Sequence, residues 1–103
     1  MEIRSLNREV SVSAQIATSD ILAIKQAGFR SIICNRPDGE GPDQPLFSEI
    51  QRVAAEFGLP AFYLPAESGK VSDAQGAAFG NLLEEVPRPV LAYCRTGMRS
   101  TTL

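Results

Sequence analysis

The segment TSDILAIKQAGFRSIICN, residues 18–35, decides the fold. It opens with Thr18 or Ser19 as a helix N-cap, a position where a side-chain oxygen accepts from the unsatisfied amides of the first turn. Ile21, Leu22 and Ile24 then put apolar side chains on one side of a helix. Gly28 supplies the stop, because glycine takes the left-handed conformation that ends helices without steric cost. RSIICN follows as a short run rich in β-branched residues and reads as a buried strand. A helix that halts at glycine and feeds an apolar strand is half of a parallel α/β repeat.

The same alternation continues downstream. RPDGEGPDQP is rich in Pro, Gly and Asp and is therefore a loop. A second helix covers about Pro45 to Phe57, with Phe47, Ile50, Val53, Ala54 and Phe57 at helical spacing and Gly58 ending it. PAFYLPA reads as a strand and ESGKV as a loop. Ser72 caps a third helix whose buried stripe is Phe79, Leu82, Leu83 and Val86, and Pro87 and Pro89 break it before a last strand, PVLAYC. Upstream, Ile3 and EVSVSAQI form two short strands with Asn7–Arg8 as their turn. The order predicts an α/β fold: a mostly parallel central sheet flanked by helices, with a short N-terminal β-hairpin at one edge. Ligands of such sheets gather beyond the carboxyl ends of the strands. Cys94 and the loops RPDGE and PAESGK leave strands from that edge.

With 103 residues the chain reads as one domain, 1–103, with a single modest core. At 44% hydrophobic and 21% charged it falls in the ordinary globular class. No apolar run approaches the roughly 20 residues that span a bilayer. The first ten residues lack the apolar core of a signal peptide, so the expectation is a mature, soluble, cytoplasmic chain without a membrane partner. Ten basic and twelve acidic residues are well mixed, without a basic block, which argues against nucleic acid as a partner. Two cysteines are too few for a disulfide scaffold. The chain contains no histidine, which removes Ser-His-Asp and Cys-His catalysis and His-ligated metals.

Any nucleophile here must be activated by backbone dipoles and arginine. LAYCRTGMRST, residues 91–101, has the composition for it. An ordinary cysteine has a pKa of about 8.5 and is mostly protonated at neutral pH. Successive backbone amides in a strand-to-helix loop stabilise anions. With cationic neighbours such as Arg95 and Arg99, thiol pKa values fall to roughly 3.5–7.5. Gly97 lets the backbone curl with its amides inward, Arg99 can grip an oxyanion with two parallel hydrogen bonds, and the Ser100 hydroxyl can donate to the thiolate. The bland alternative is that Cys94 is a small buried residue ending a strand. Cys34 reads as core; were it near Cys94, it would be able to shield that thiol as a disulfide. Arg36 shapes the loop after its strand and is a second potential anion contact, with an exposed or structural arginine as the alternative. Phe47, Phe57, Phe62 and Phe79 read as core, and Tyr63 and Tyr93 need hydrogen-bond partners if buried.

Two loops of known families resemble YCRTGMRS. One is the active loop of single-domain rhodaneses, in which the cysteine carries a persulfide. The other is the phosphate-binding loop of cysteine-dependent tyrosine and dual-specificity phosphatases, which places five residues between cysteine and arginine and a histidine before the cysteine. Here four residues intervene, Arg95, Thr96, Gly97 and Met98, and Tyr93 precedes Cys94. On the loop alone, rhodanese is the better match. The rest of the chain, above all the blocks AGFRSIICNRPDGE and LPAESG, resembles the phosphatase-like domain of the beta-lactamase-hydrolase-like proteins. That bacterial family implies a dual-specificity-phosphatase-like fold and a hydrolase assignment. Its members occur alone or fused to metallo-hydrolase and sulfide-handling domains.

The resemblance implies roles. Cys94 matches the nucleophile, Arg99 the anion-binding arginine, Arg95 through Met98 the cradle, and Ser100 the hydroxyl that eases thiolate departure. Glu67 lies nearest the general-acid position, with Asp38 and Glu40 as second candidates; its alternative is a solvated loop carboxylate. Asp73 belongs to the first turn of its helix. The chain stops at Leu103, within the first turn of the helix expected after the loop, which suggests truncation there. Three functions stand at this point: a cysteine-dependent phosphatase-like hydrolase, a rhodanese-like sulfurtransferase with a persulfide on Cys94, and a non-catalytic anion-binding module. All three take a small anionic partner, a phosphate ester or a sulfane sulfur donor for the two enzymes, and none requires a metal or other cofactor.

Overall fold

A computed structural model describes residues 3–6, 8–36, 38–39, 44–65 and 86–94. Strands β1 (Ile3–Ser5), β2 (Val10–Ser13), β3 (Ser31–Cys34), β4 (Ala61–Tyr63) and β5 (Val90–Tyr93) form one sheet in the order β1-β2-β5-β3-β4. β1 and β2 make the expected antiparallel hairpin at the edge, and all other neighbours are parallel. Among the described strands, the last in sequence is therefore the central one. Its insertion between β2 and β3 gives it hydrogen-bonded neighbours on both sides.

Helix α1 (Ile21–Gln26) is entered through a 3-10 turn, Thr18–Asp20. Neither Thr18 nor Ser19 acts as the expected cap. The Asp20 carboxylate instead reaches back and accepts the Ala17 amide at 2.8 Å. Ile21 and Ile24 are buried, whereas Leu22 is 47% exposed and leaves the predicted stripe. A helix turns about 100° per residue, so the step from Ile21 carries Leu22 off the buried face. Gly28, at φ 98°, ends the element as predicted.

Helix α2 (Phe47–Glu56) buries Phe47, Ile50 and Ala54. Val53 and Phe57 are partly buried at its margin. Both described helices pack on the same face of the sheet, over Ile32 and Cys34 of β3, Ala61 of β4 and Leu91 and Tyr93 of β5. The opposite face carries Val12, Ile33, Val90 and Ala92, with Val86 against them and Phe62 and Leu64 partly buried beside them. Alternation within β3 and β5 thus serves two cores, which is why these strands read as continuous apolar runs. The predicted third helix, Phe79 included, lies outside the described residues except for Val86. No described helix is long and apolar enough to cross a membrane.

Candidate active site

The carboxyl edge of the sheet gathers the chemistry. Ser13, Tyr93, Cys34 and Tyr63 stand in one register row across β2, β5, β3 and β4. They share the face covered by α1 and α2. One step further on, Cys94 leaves β5, fully buried, with its backbone amide donating to the Ser13 carbonyl at 3.3 Å. The Asn35 amide donates to the Tyr93 carbonyl at 2.8 Å. The peptide unit that joins Tyr93 to Cys94 is therefore held in ladder geometry from both sides, at the end of the central strand. The strand's alternation turns it to the face opposite Cys34 and Tyr93. Both cysteines are thiols.

Asn35 and Arg36 brace the neighbouring exits. The Asn35 side-chain amide, fully buried, donates to the Leu64 carbonyl at 3.0 Å and ties the end of β3 to the end of β4. Arg36, only 7% exposed, donates to Gln15 Oε1 at 3.0 Å. The sequence reading weighed Arg36 as an anion contact or a structural residue, and it is a buried brace. Asn35 and Gln15 were not singled out. Their only signal is a polar side chain within two residues of a strand's end, which many solvated loops share.

Beneath Cys94, on the helix face, Tyr93 hydrogen-bonds Cys34, whose thiol also donates to the Arg36 carbonyl at 3.2 Å. Burial pushes the Cys34 thiol above its ordinary value, partly offset by hydrogen bonding to Tyr93 and to the backbone of Arg36. Burial likewise pushes the Tyr93 phenol up, reinforced by Cys34. Both groups are neutral at physiological pH. The expectation that Cys34 is core holds, and the hydroxyl partner that a buried Tyr93 requires is Cys34.

Tyr63 is 41% exposed, stacks on Phe47 with ring centroids 5.0 Å apart, and accepts the Asp38 amide at 3.0 Å. The Asp38 carboxylate accepts from the Phe47 amide at 2.9 Å. Leu46, the residue before α2, has no side-chain acceptor, so Asp38 caps that helix from a distance. Among the described residues no group of three His, Cys, Asp or Glu side chains is placed to hold a metal ion. The remaining predicted site residues, Glu67, Arg95, Thr96, Gly97, Met98, Arg99 and Ser100, lie outside the described residues, as do Glu40 and Asp73.

Comparison with known proteins puts this arrangement in context. Residues 2–103 match the family described as Beta-lactamase hydrolase-like protein, phosphatase-like domain. A Beta-lactamase hydrolase-like protein of Agrobacterium fabrum is 31% identical over 103 residues, which is all of this chain and 24% of that protein. The chain thus spans about a quarter of the length of the curated relatives it matches. The crystal structure of a candidate phosphatase from Neisseria meningitidis aligns with a TM-score of 0.93 at 35% identity, covering 99% of this chain and 72% of that one. A cysteine-to-serine variant of P. aeruginosa TpbA, in complex with pTyr, shares the fold alone, with a TM-score of 0.66 at 14% identity over 92% of this chain and 54% of that one.

Proposed function

The chain belongs to the phosphatase-like domain family of the Beta-lactamase hydrolase-like proteins, and from that premise we propose that it hydrolyses phosphate esters through a cysteine nucleophile. The observation that carries this reading is the place of Cys94, at the carboxyl end of the central strand, with the peptide unit that leads into it hydrogen-bonded on both sides. That is where parallel sheets bind ligands. A phosphotyrosine complex of a protein with the same fold is consistent with a phosphate ester as substrate class.

The Cys94 thiolate attacks phosphorus, forming an S–P bond as the ester P–O bond breaks. Arg99 and the amides of Arg95 through Met98 hold the non-bridging oxygens and stabilise the charge spread over them. Glu67 protonates the leaving alkoxide. We assign the proton to Glu67 rather than Asp38, because the Asp38 carboxylate is already engaged by the first amide of α2. Water then cleaves the phosphocysteine, and Ser100 donates to the departing thiolate.

Turnover of an aryl phosphate tests this. Cys94→Ser should abolish it, and Arg99→Ala should lower it by on the order of 100-fold or more, the scale set by loss of an oxyanion donor. A second reading rests on the four-residue spacing between Cys94 and Arg99, a smaller cradle better suited to one sulfur than to a phosphoryl group. It makes the protein a sulfurtransferase with a persulfide on Cys94. Thiosulfate-dependent gain of one sulfur atom in the intact mass, absent in Cys94→Ser, would establish it. If neither activity appears and Cys94 alkylates no faster than an unactivated thiol, the domain binds anions without turning them over.

A further inference from the structure

The edge of the sheet opposite Cys94 holds a hollow of about 470 Å³ beside the ends of α1 and α2. The parallel strands β3, β4 and β5 all start at this edge. Its lining comes from Lys25 in the last turn of α1, Phe29 and Arg30 before β3, Phe57 after α2, Pro60 before β4 and Pro87 before β5. Hydrogen bonds tie these segments together. The Arg30 amide donates to the Pro89 carbonyl at 2.9 Å, the Ile32 amide to the Pro60 carbonyl at 3.0 Å, and the Ser31 hydroxyl to the Pro87 carbonyl at 2.6 Å. Both helix ends are closed as well: the Gly58 and Leu59 amides donate to the Ala55 and Ala54 carbonyls, and the Gly28 amide to that of Lys25.

Apolar surface and charge set the chemistry of the hollow. Phe29 and Phe57 are partly buried and pack on the helix-side core, so their remaining ring surface and the two prolines receive an apolar body. Lys25 and Arg30 are exposed, and among the described residues neither has an ion-pair partner. The last turn of a helix favours a cation, which accounts for Lys25 and not for Arg30. No carboxylate is among the lining residues, although the chain has a net charge of -2. Glu56, the residue before Phe57, is paired with Arg52 at 3.3 Å, and Glu9 with Arg88, the residue after Pro87, at 2.8 Å. A neighbouring hollow of about 580 Å³ shares Gly58, Leu59 and Pro60, but its cation is Arg52, already engaged by Glu56.

We infer that the hollow at the amino edge binds a small organic acid with a ring-sized apolar body, its oxyanion head paired with Lys25 and Arg30. An apolar lining with a few charged groups and a volume of several hundred Å³ is the usual make-up of a small-ligand site, and an arginine fork donates two parallel hydrogen bonds to a carboxylate. Four residue rises, roughly 13 Å, separate the start of β5 at Val90 from Cys94. A small acid bound at this edge therefore does not reach that thiol, and its binding is independent of the chemistry there.

The test titrates the isotope-labelled protein with hydrocinnamate, a phenyl ring on a short carboxylate chain, and follows backbone amides by NMR. The amides of Lys25, Gly28, Phe29, Arg30, Phe57 and Gly58 are expected to shift together and saturate, with a Kd on the order of 1 mM. Uncharged hydrocinnamamide and ring-free acetate should each bind about fivefold more weakly or worse. Lys25→Gln and Arg30→Gln should each weaken hydrocinnamate about two- to fivefold, and Lys25→Glu combined with Arg30→Glu about tenfold or more. Amides at this edge that do not move at about 10 mM acid overturn the proposal. So does equal affinity for acid and amide, or for wild type and the folded double variant, and so do shifts confined to residues 95–101. If the double variant does not fold, the comparison of acid with amide on the wild-type protein decides. The readout needs no turnover, so absence of aryl phosphate hydrolysis refutes the phosphatase reading and leaves this one standing.

Discussion

Alkaline titration is expected to unlock the row of side chains on which β5 rests. Cys34 and Tyr93 are each 1% exposed, and burial raises both above their ordinary values of 9.0 and 10.0. The folded chain therefore keeps two protons that the unfolded chain releases. Stability is fully present below the ordinary values and falls as pH climbs from them towards the folded ones. Each group costs about 1.4 kcal/mol per pH unit over its own window. The decline begins above pH 9 with Cys34 and steepens above pH 10, when Tyr93 adds up to about 1.4 kcal/mol per pH unit. A small domain has roughly 5–15 kcal/mol in all, so the decline is measurable before unfolding. The chain has no tryptophan, so urea titrations between pH 8 and 11 are best followed by far-UV circular dichroism. Cys34→Ala should delay the onset of the decline, and Tyr93→Phe should lower the slope above pH 10. A wild-type curve with no decline, or the same slope in all three proteins, refutes the assignment of buried neutral groups.

Two other substitutions test the frame. Ile50→Ala empties a fully buried position between α2 and the sheet and should destabilise by about 2–5 kcal/mol, read from the urea midpoint. Asp38→Ala removes the acceptor at the start of α2 and should cost about 1 kcal/mol of stability. Its kcat on an aryl phosphate should stay near wild type, and a fall of about 100-fold, the scale of a general acid, would move that role from Glu67 to Asp38.

Much of this fold was legible because its signals are local. Gly28 and Gly58 end helices in positive-φ conformations. SIIC and VLAY read as continuous apolar runs because each strand is buried on both faces. The N-terminal alternation and short turn identified the edge hairpin. What failed depended on partners distant in sequence. Leu22 looked apolar enough to be buried, and only the pose of α1 on the sheet decides that it is not. Phe57 and Phe62 read as core and do pack against it, though each stays partly exposed at the margin. The site divides the same way. The place of Cys94 at the end of a buried strand was legible from the apolar run before it, whereas the Arg36–Gln15 hydrogen bond depends on strand order. β5, last in sequence, enters between β2 and β3, and no local pattern reveals which strands flank it.

The two cysteines show how strand direction separates residues of one type. Cys34 and Cys94 end adjacent strands, which invites the idea that one shields the other as a disulfide. A disulfide needs Cβ atoms about 3.5–4.5 Å apart and directed towards each other. Cys34 is level with Tyr93 and faces α1 and α2, whereas the next residue along β5 is turned to the other side. Bridging them would require β5 to slip by one residue, which would expel Leu91 and Tyr93 from one core and Val90 and Ala92 from the other. The surroundings then decide the chemistry. Cys34 sits among apolar side chains with a phenol and a backbone carbonyl as partners, an environment that keeps a thiol protonated and inert. Cys94 stands at the end of the central strand of the described sheet and is followed in sequence by two arginines, Arg95 and Arg99. Under the proposed function it is this second setting, rich in cations, that favours a thiolate.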